Sequence, residues 1–200
     1  MLFRSEWLKG ELSDGFEELG SHYYGKVQDI GKVRLSYFAN DYSKKFRLYK
    51  LHGSIDYYPF NKNDGHVYVR YCWIKKKPFI APTDLWKEVK TETGELIYEQ
   101  DWVNYHSDFL IGTTSKIFRY KDPLYYDVVF NHFEKNLQNS KQLIIIGYAG
   151  NDMEINKIIN DNFSGKLICC DPYPSDNLKE LCKAHNSVPI ECTVENIRLS

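Results

Sequence analysis

The stretch 142–152, QLIIIGYAGND, restricts the folding options of this chain more than any other. Leu143–Ile146 is wholly apolar and mostly β-branched, the pattern of a strand buried on both faces in a parallel sheet. It runs into Gly147-Tyr148-Ala149-Gly150-Asn151-Asp152, whose glycines and Asn-Asp pair predict a tight turn and then a helix start. Ile155, Ile158 and Ile159 follow on one helical face. Two readings of this strand–turn–helix stay open. It is an ordinary connection, or it is a nucleotide crevice at the carboxyl end of a sheet. In a crevice, small residues let a ligand reach the backbone and the helix start offers amides to a phosphate. The turn lacks the GxGxxG spacing that would decide between them.

The surrounding sequence predicts the same architecture. Asp122-Pro123 is a helix start, with Leu124, Val128, Phe133 and Leu137 as its stripe down to about Asn139. A helix from about Asp152 to Asn162 leads to a second buried strand, Lys166–Cys170, closed by Asp171-Pro172. Ser175 caps a helix with Leu178, Leu181 and Cys182 inward, and Val188–Cys192 is a third strand. Helix–strand alternation at this spacing predicts α/β: a three-layer, Rossmann-like parallel sheet with helices on both faces.

Upstream the pattern is weaker. Residues 1–30 predict a short helix lined by Phe3, Trp7, Leu8 and Leu12, then an irregular loop. Lys32–Phe38 and Phe46–Leu51 alternate as half-buried strands, and the second runs straight into His52-Gly53-Ser54. His66–Ile74 is a strand by alternation and β-propensity. Asn61–Gly65 and Thr91–Gly94 predict turns. Phe109–Gly112 ends a short strand, and Thr113–Lys116 is a polar loop. The texture of 57–108 predicts a small subdomain inserted into a single domain spanning 1–200.

Composition narrows the classes. With 26 basic and 27 acidic residues the net charge is −1, which predicts no nucleic-acid partner and no anionic membrane surface. No run approaches the roughly 20 apolar residues of a membrane span. Residues 1–15 lack an apolar signal-peptide core. The five cysteines (72, 169, 170, 182 and 192) form no CxxC pair and are odd in number. They suggest neither a zinc ribbon nor a disulfide framework, and a reducing, cytoplasmic compartment is expected. The six histidines show no HxxxH or HExxH spacing, so no metal is expected.

Two residues invite chemistry. His52, followed by glycine at a predicted strand end, leaves an imidazole free to point into a crevice as a general base. By itself it reads more readily as a satisfied structural histidine at a strand end. Asp171, at the end of the strand after the glycine turn, suits the hydroxyls of a ribose. It reads equally as the start of an Asp-Pro turn. Cys169-Cys170 reads as strand packing, because adjacent strand residues face opposite ways.

KLHGSID (50–56) and LIIIGYAGND (143–152), in that order, resemble the sirtuin-like family of NAD-dependent enzymes. The likeness is closest to the zinc-free bacterial branch common in anti-phage defence proteins, and it covers about 12–197. It implies His52 as the catalytic histidine, with Gly53 and Ser54 beside the dinucleotide. Gly147-Tyr148-Ala149 matches the family's Gly-(Thr/Tyr)-Ser turn, with Ala where Ser is usual. Asn151-Asp152 matches the Asn-Asp of the bacterial branch, and Asp171 sits where the family contacts the adenosine ribose. NAD would be the substrate, cleaved at the nicotinamide–ribose bond. The family's Gly-Ala-Gly-x-Ser loop and Thr-Asn-Tyr-Asp or Thr-Gln-Asn-x-Asp motif have no counterpart. The chain is therefore expected to be a partial domain lacking N-terminal strands, with little activity alone. It would self-associate or take a partner chain that completes the sheet. The alternative is a non-catalytic nucleotide-binding or protein-interaction module of a larger defence protein.

Overall fold

The computed structural model describes residues 10–63, 68–77, 79–81, 83–99, 102–103, 107–110 and 119–196. Phe3, Trp7, Leu8, the polar loop 113–116, His66 and His106 lie outside them. The fold is mixed α/β, and the chain divides into two compact units, Met1–Phe130 and Asn131–Ser200.

The first unit is built mostly from antiparallel strands. β1 (Leu12–Ser13), β2 (Gly15–Glu17), β3 (Tyr23–Val27), β4 (Gly31–Arg34), β5 (Ser36–Asp41) and β6 (Phe46–Arg47) precede the turn at His52. β7 (Tyr57–Asn63), β8 (Tyr68–Lys75), β9 (Leu85–Lys90), β10 (Leu96–Glu99) and β11 (Trp102–Val103) follow it. One sheet has the order β11-β7-β8-β5-β2, the other β10-β9-β3-β4, and β1 pairs with β6 in parallel. Strands of 57–103 thus complete both sheets with strands of 15–41. Leu35, Phe60, Ile74, Ile80 and Leu85 form a buried cluster with Tyr23, Val27 and Val33 packed against it. A second, aromatic cluster joins Trp73, fully buried, to Tyr125 and Tyr126 at ring-centroid distances of 5.1 and 5.4 Å.

Two expectations fail in this unit for physical reasons. The predicted helix over the first residues lies mostly outside the described residues, and the irregular loop expected after it holds β1, β2 and β3 joined by turns. Phe16 and Tyr23 are β-prone, but they pair with Phe38 and Lys87, 22 and 64 residues on, so no local period announces them. Of the strand predicted over 46–51 only β6 forms. Its alternating apolar positions, Phe46 and Leu48, are exposed and find no core face.

The second unit follows the sequence more closely. α1 (Tyr126–Asn139) carries the chain into it, followed by β12 (Gln142–Ile146), α2 (Met153–Asn162), β13 (Lys166–Cys170) and α3 (Asp176–Ala184). β12 and β13 pair in parallel, with Gln142 opposite Lys166 and Ile146 opposite Cys170. Asp122 starts a turn instead of α1: its carboxylate accepts from Leu124 N at 3.1 Å and its carbonyl from Asp127 N at 3.0 Å. The buried stripe is accordingly Tyr126, Val129, Phe130 and Leu137, and Leu124 is exposed. The third predicted strand reduces to one parallel bridge, Cys170 to Ile190. Pro189 has no N–H to extend the ladder. Ile145 is the single buried residue of β12, and Ile146 is exposed. Among the described residues β12 pairs with β13 alone, so the wholly buried central strand expected at 143–146 is an edge.

Candidate functional site

The parallel register of the second unit brings two predicted residues together. Gly147 N donates to Cys170 O at 3.1 Å, so Gly147 and Asp171 leave neighbouring strands at the same carboxyl edge. Gly147 has φ +63°, and a Cβ built there would meet nothing within 4 Å. The space above it is open to a ligand. Gly150 has φ +70° for another reason: a Cβ there would come within 2.8 Å of Leu178 N. That glycine serves the approach of α3.

The rest of the turn is pinned. Asn156, buried, donates from Nδ2 to Gly150 O at 2.7 Å, and its Oδ1 accepts from the Tyr148 hydroxyl at 2.8 Å. Burial, then the neighbouring Asp152 charge, pushes the Tyr148 phenol up to about 12. Asn177 Nδ2 donates to Asn151 Oδ1 at 2.9 Å, and the Ser175 hydroxyl donates to Ala149 O. Asp152 is the N-cap of α2 and accepts from Ile155 N at 3.3 Å. Asp152 therefore occupies a donor of the helix start and places a carboxylate where a phosphate would sit. The helix start does not fit a phosphate. Asp171 Oδ1 accepts from Tyr173 N at 2.8 Å, the Asp-Pro turn bond, which leaves Oδ2 as an acceptor for a hydroxyl.

His52 lies in the first unit, in a turn and not at a strand end. The predicted strand stops at Arg47, and the turn is held by other means. Tyr125 donates its hydroxyl to Lys50 O at 3.1 Å, and Leu110 N donates to His52 O at 2.8 Å. Gly53, at φ +75°, bridges to Phe109 so closely that a Cβ would stand 2.5 Å from Asp108 O. The half-buried His52 ring stacks on Tyr120, with centroids 6.5 Å apart and planes 8° from parallel.

Sequence reasoning missed the polar cluster around this turn. Lys50 Nζ donates to Ser54 Oγ at 2.7 Å and pairs with Asp56 at 3.3 Å. Burial raises the Asp56 carboxyl, but the Ser54 hydrogen bond and the Lys50 charge outweigh it and leave the group below its ordinary value. Ser54 thus helps to hold the turn through Lys50. The buried Asp108 carboxylate pairs with both terminal nitrogens of Arg119, whose guanidinium that bond holds further up. Lys50, Ser54 and Asp56 flank one glycine, the available signal. A shallow cleft of about 440 Å³ adjoins them, lined by Ile55, Asp56, Tyr58 and Lys75–Lys77. Among the described residues no cluster of three His, Cys, Asp or Glu side chains could hold a metal. Comparison with known proteins finds no matching family model, no curated relative and no solved structure.

Proposed function

We propose that this chain is a sirtuin-like, zinc-free NAD-processing module whose second unit holds the nucleoside half of the dinucleotide. One observation carries the reading: Gly147, open above its Cα, and the Asp171 carboxylate leave adjacent parallel strands at one edge. That is where doubly wound sheets take nucleotides. On this reading β12 and β13 belong to a Rossmann-like three-layer sheet. Asp171 accepts from ribose hydroxyls, and Gly147, Tyr148 and Ala149 face the adenosine. Asn151 and Asp152 shape the turn. The resemblance gives His52, whose turn Gly53 and Ser54 fix, the role of the base that takes a proton from water or a ribose hydroxyl. Water then replaces nicotinamide at the ribose carbon, giving nicotinamide, ADP-ribose and a proton.

The Asp152 cap favours a second reading, a nucleotide-binding or interaction module of a bacterial defence protein with little turnover alone. An anion is disfavoured at the helix start, so the chain offers little to the pyrophosphate. The β12 edge, unpaired among the described residues, suits self-association or a partner strand. Mass-spectrometric assay of nicotinamide release from NAD, with His52→Ala as control, separates the two. The binding core of the proposal is tested by calorimetry with NAD and with adenosine. Both should bind, and Asp171→Ala should weaken both by about tenfold, one charge-assisted hydrogen bond. Affinity for neither ligand would remove the reading. Binding with no His52-dependent release would select the non-catalytic module.

A further inference from the structure

The outward face of the sheet β10-β9-β3-β4 is a different kind of surface. Register fixes which side chains share it. Tyr24 stands opposite both Arg34 and Trp86, and Lys26 opposite Lys32. Glu88 stands opposite Tyr98, and Lys90 opposite Leu96. Alternation along each strand puts these residues on one side. The other side carries Tyr23, Val33 and Leu85 into the core. Contacts agree with the register. The Tyr24 and Tyr98 rings meet edge to face at 5.6 Å, and Lys32 Nζ lies 3.0 Å from the Tyr98 ring centroid. Arg34 donates to the Tyr24 hydroxyl at 2.9 Å.

The charge on this face is lopsided. Lys26, Lys32, Arg34 and Lys90 are exposed upon it. Glu88 is the one carboxylate among these positions, and it is already engaged. It accepts from the Tyr98 hydroxyl at 3.1 Å and lies 3.3 Å from His22 Nδ1, the bond that does most to lower its carboxyl. A net charge of −1 for the whole chain averages this away. Among the cations stand an exposed Tyr98 and a half-buried Trp86.

We propose that this face binds single-stranded nucleic acid, with bases stacking on Tyr98 and Trp86 and phosphates meeting Lys26, Lys32, Arg34 and Lys90. A polyanion satisfies the cations, and each base supplies a π face for a ring. An acidic peptide would satisfy the charge alone. Lys32, now over the Tyr98 ring, moves to a phosphate as a base takes its place. Four strands span about 14 Å at ~4.8 Å per step, the width on which other four-stranded sheets stack two or three bases.

The test is fluorescence anisotropy of the full chain with labelled oligouridine and oligothymidine 12-mers at 50 and 200 mM salt, with no dinucleotide present. Both should bind. Contacts from three or four cations give a log–log salt slope of about −2 to −3, so affinity falls roughly 15- to 60-fold between the two salts. The exposed pair Lys26→Glu with Lys90→Glu should weaken binding at least tenfold and flatten the slope. Tyr98→Ala should weaken it at least fivefold, while Tyr98→Phe keeps the stacking ring and the affinity. Far-UV circular dichroism confirms that each variant is folded. Absence of binding at 50 mM salt would overturn the proposal, as would indifference to Tyr98→Ala. So would polyglutamate competing as well as the oligonucleotides, which would make the face a dock for acidic proteins.

Discussion

The two units of this chain reach their structures by opposite routes. In the first, the hairpins β3–β4, β7–β8 and β9–β10 are joined across long separations: β3 with β9 places Tyr23 opposite Lys87, and β5 with β8 places Ser36 opposite Lys75. Lys75 also reaches back to Asp14. In the second, β12 and β13 are joined by one helix, and the caps are local. Asp152 and Ser175 each accept from the backbone three residues on. The second unit writes its helices and caps into short windows of sequence; the first, beyond its hairpins, depends on partners that no window contains. The same difference predicts slower assembly for the first unit, whose contacts close long loops before they are rewarded.

The largest effect should come from the aromatic cluster. Trp73 is fully buried against Tyr125 and Tyr126, and Trp73→Ala should cost about 3–5 kcal/mol through lost burial and a cavity. All four tryptophans (7, 73, 86 and 102) lie in the first unit. Tryptophan fluorescence therefore reports that unit, while α2 and α3 contribute helical ellipticity from the other. In urea the variant's fluorescence midpoint should drop well below its helical midpoint. A coincident transition for both probes would show that the contrast between the units does not extend to stability.

Legibility followed the same divide. α2 and α3 with their caps and the parallel pairing of β12 with β13 were readable, because each rests on a period, a capping residue or helix–strand alternation a few positions away. β12 was misread as central because LIII fits any buried strand, and neighbours are not written in a strand's own residues. Pro189 carried the signal against a full third strand, since it removes a donor. His52 was placed at a strand end from alternation that no core face rewards. The turn that holds it depends on Asp108, Phe109 and Tyr125, all more than fifty residues away. At the candidate edge, the adjacency of Gly147 and Asp171 was legible from strand order. The use of Asp152 as an α2 cap was legible too, and it weighs against a phosphate there.

An intermediate effect separates the two glycines of the 147–152 turn. Both have left-handed backbone, so an alanine at either should cost about 1–2 kcal/mol. Gly150→Ala also drives a methyl into the backbone of Leu178, adding roughly 1–3 kcal/mol of overpacking. Gly147→Ala meets no atom, so its further effect should fall on ligand affinity. Thermal melts followed by helical ellipticity should rank Gly150→Ala clearly below Gly147→Ala. Equal melting points would mean that α3 does not press on the turn, and that Gly150 is as open to a ligand as Gly147.

The smallest effect concerns charge in the non-local unit. Burial acts to raise the Asp56 carboxyl, but the Ser54 hydrogen bond and the nearby Lys50 ammonium hold it lower in the folded state. A carboxyl held lower when folded binds its proton more weakly there than in the unfolded chain. Its contribution to stability is therefore fully present above the unfolded value of about 3.9, and it is lost as pH falls through the folded value. Lys50→Met should remove part of that contribution and flatten the acid limb of the fluorescence-detected stability curve below about pH 4. The half-exposed pair is screened by solvent and salt, so the change should be small and should shrink further at high ionic strength. The helical probe of the other unit should not move. A Lys50→Met curve that loses stability equally at pH 7 and pH 3 would assign the lysine's role to its ammonium over the Tyr57 ring, 4.7 Å from the centroid, and not to its pairing with Asp56.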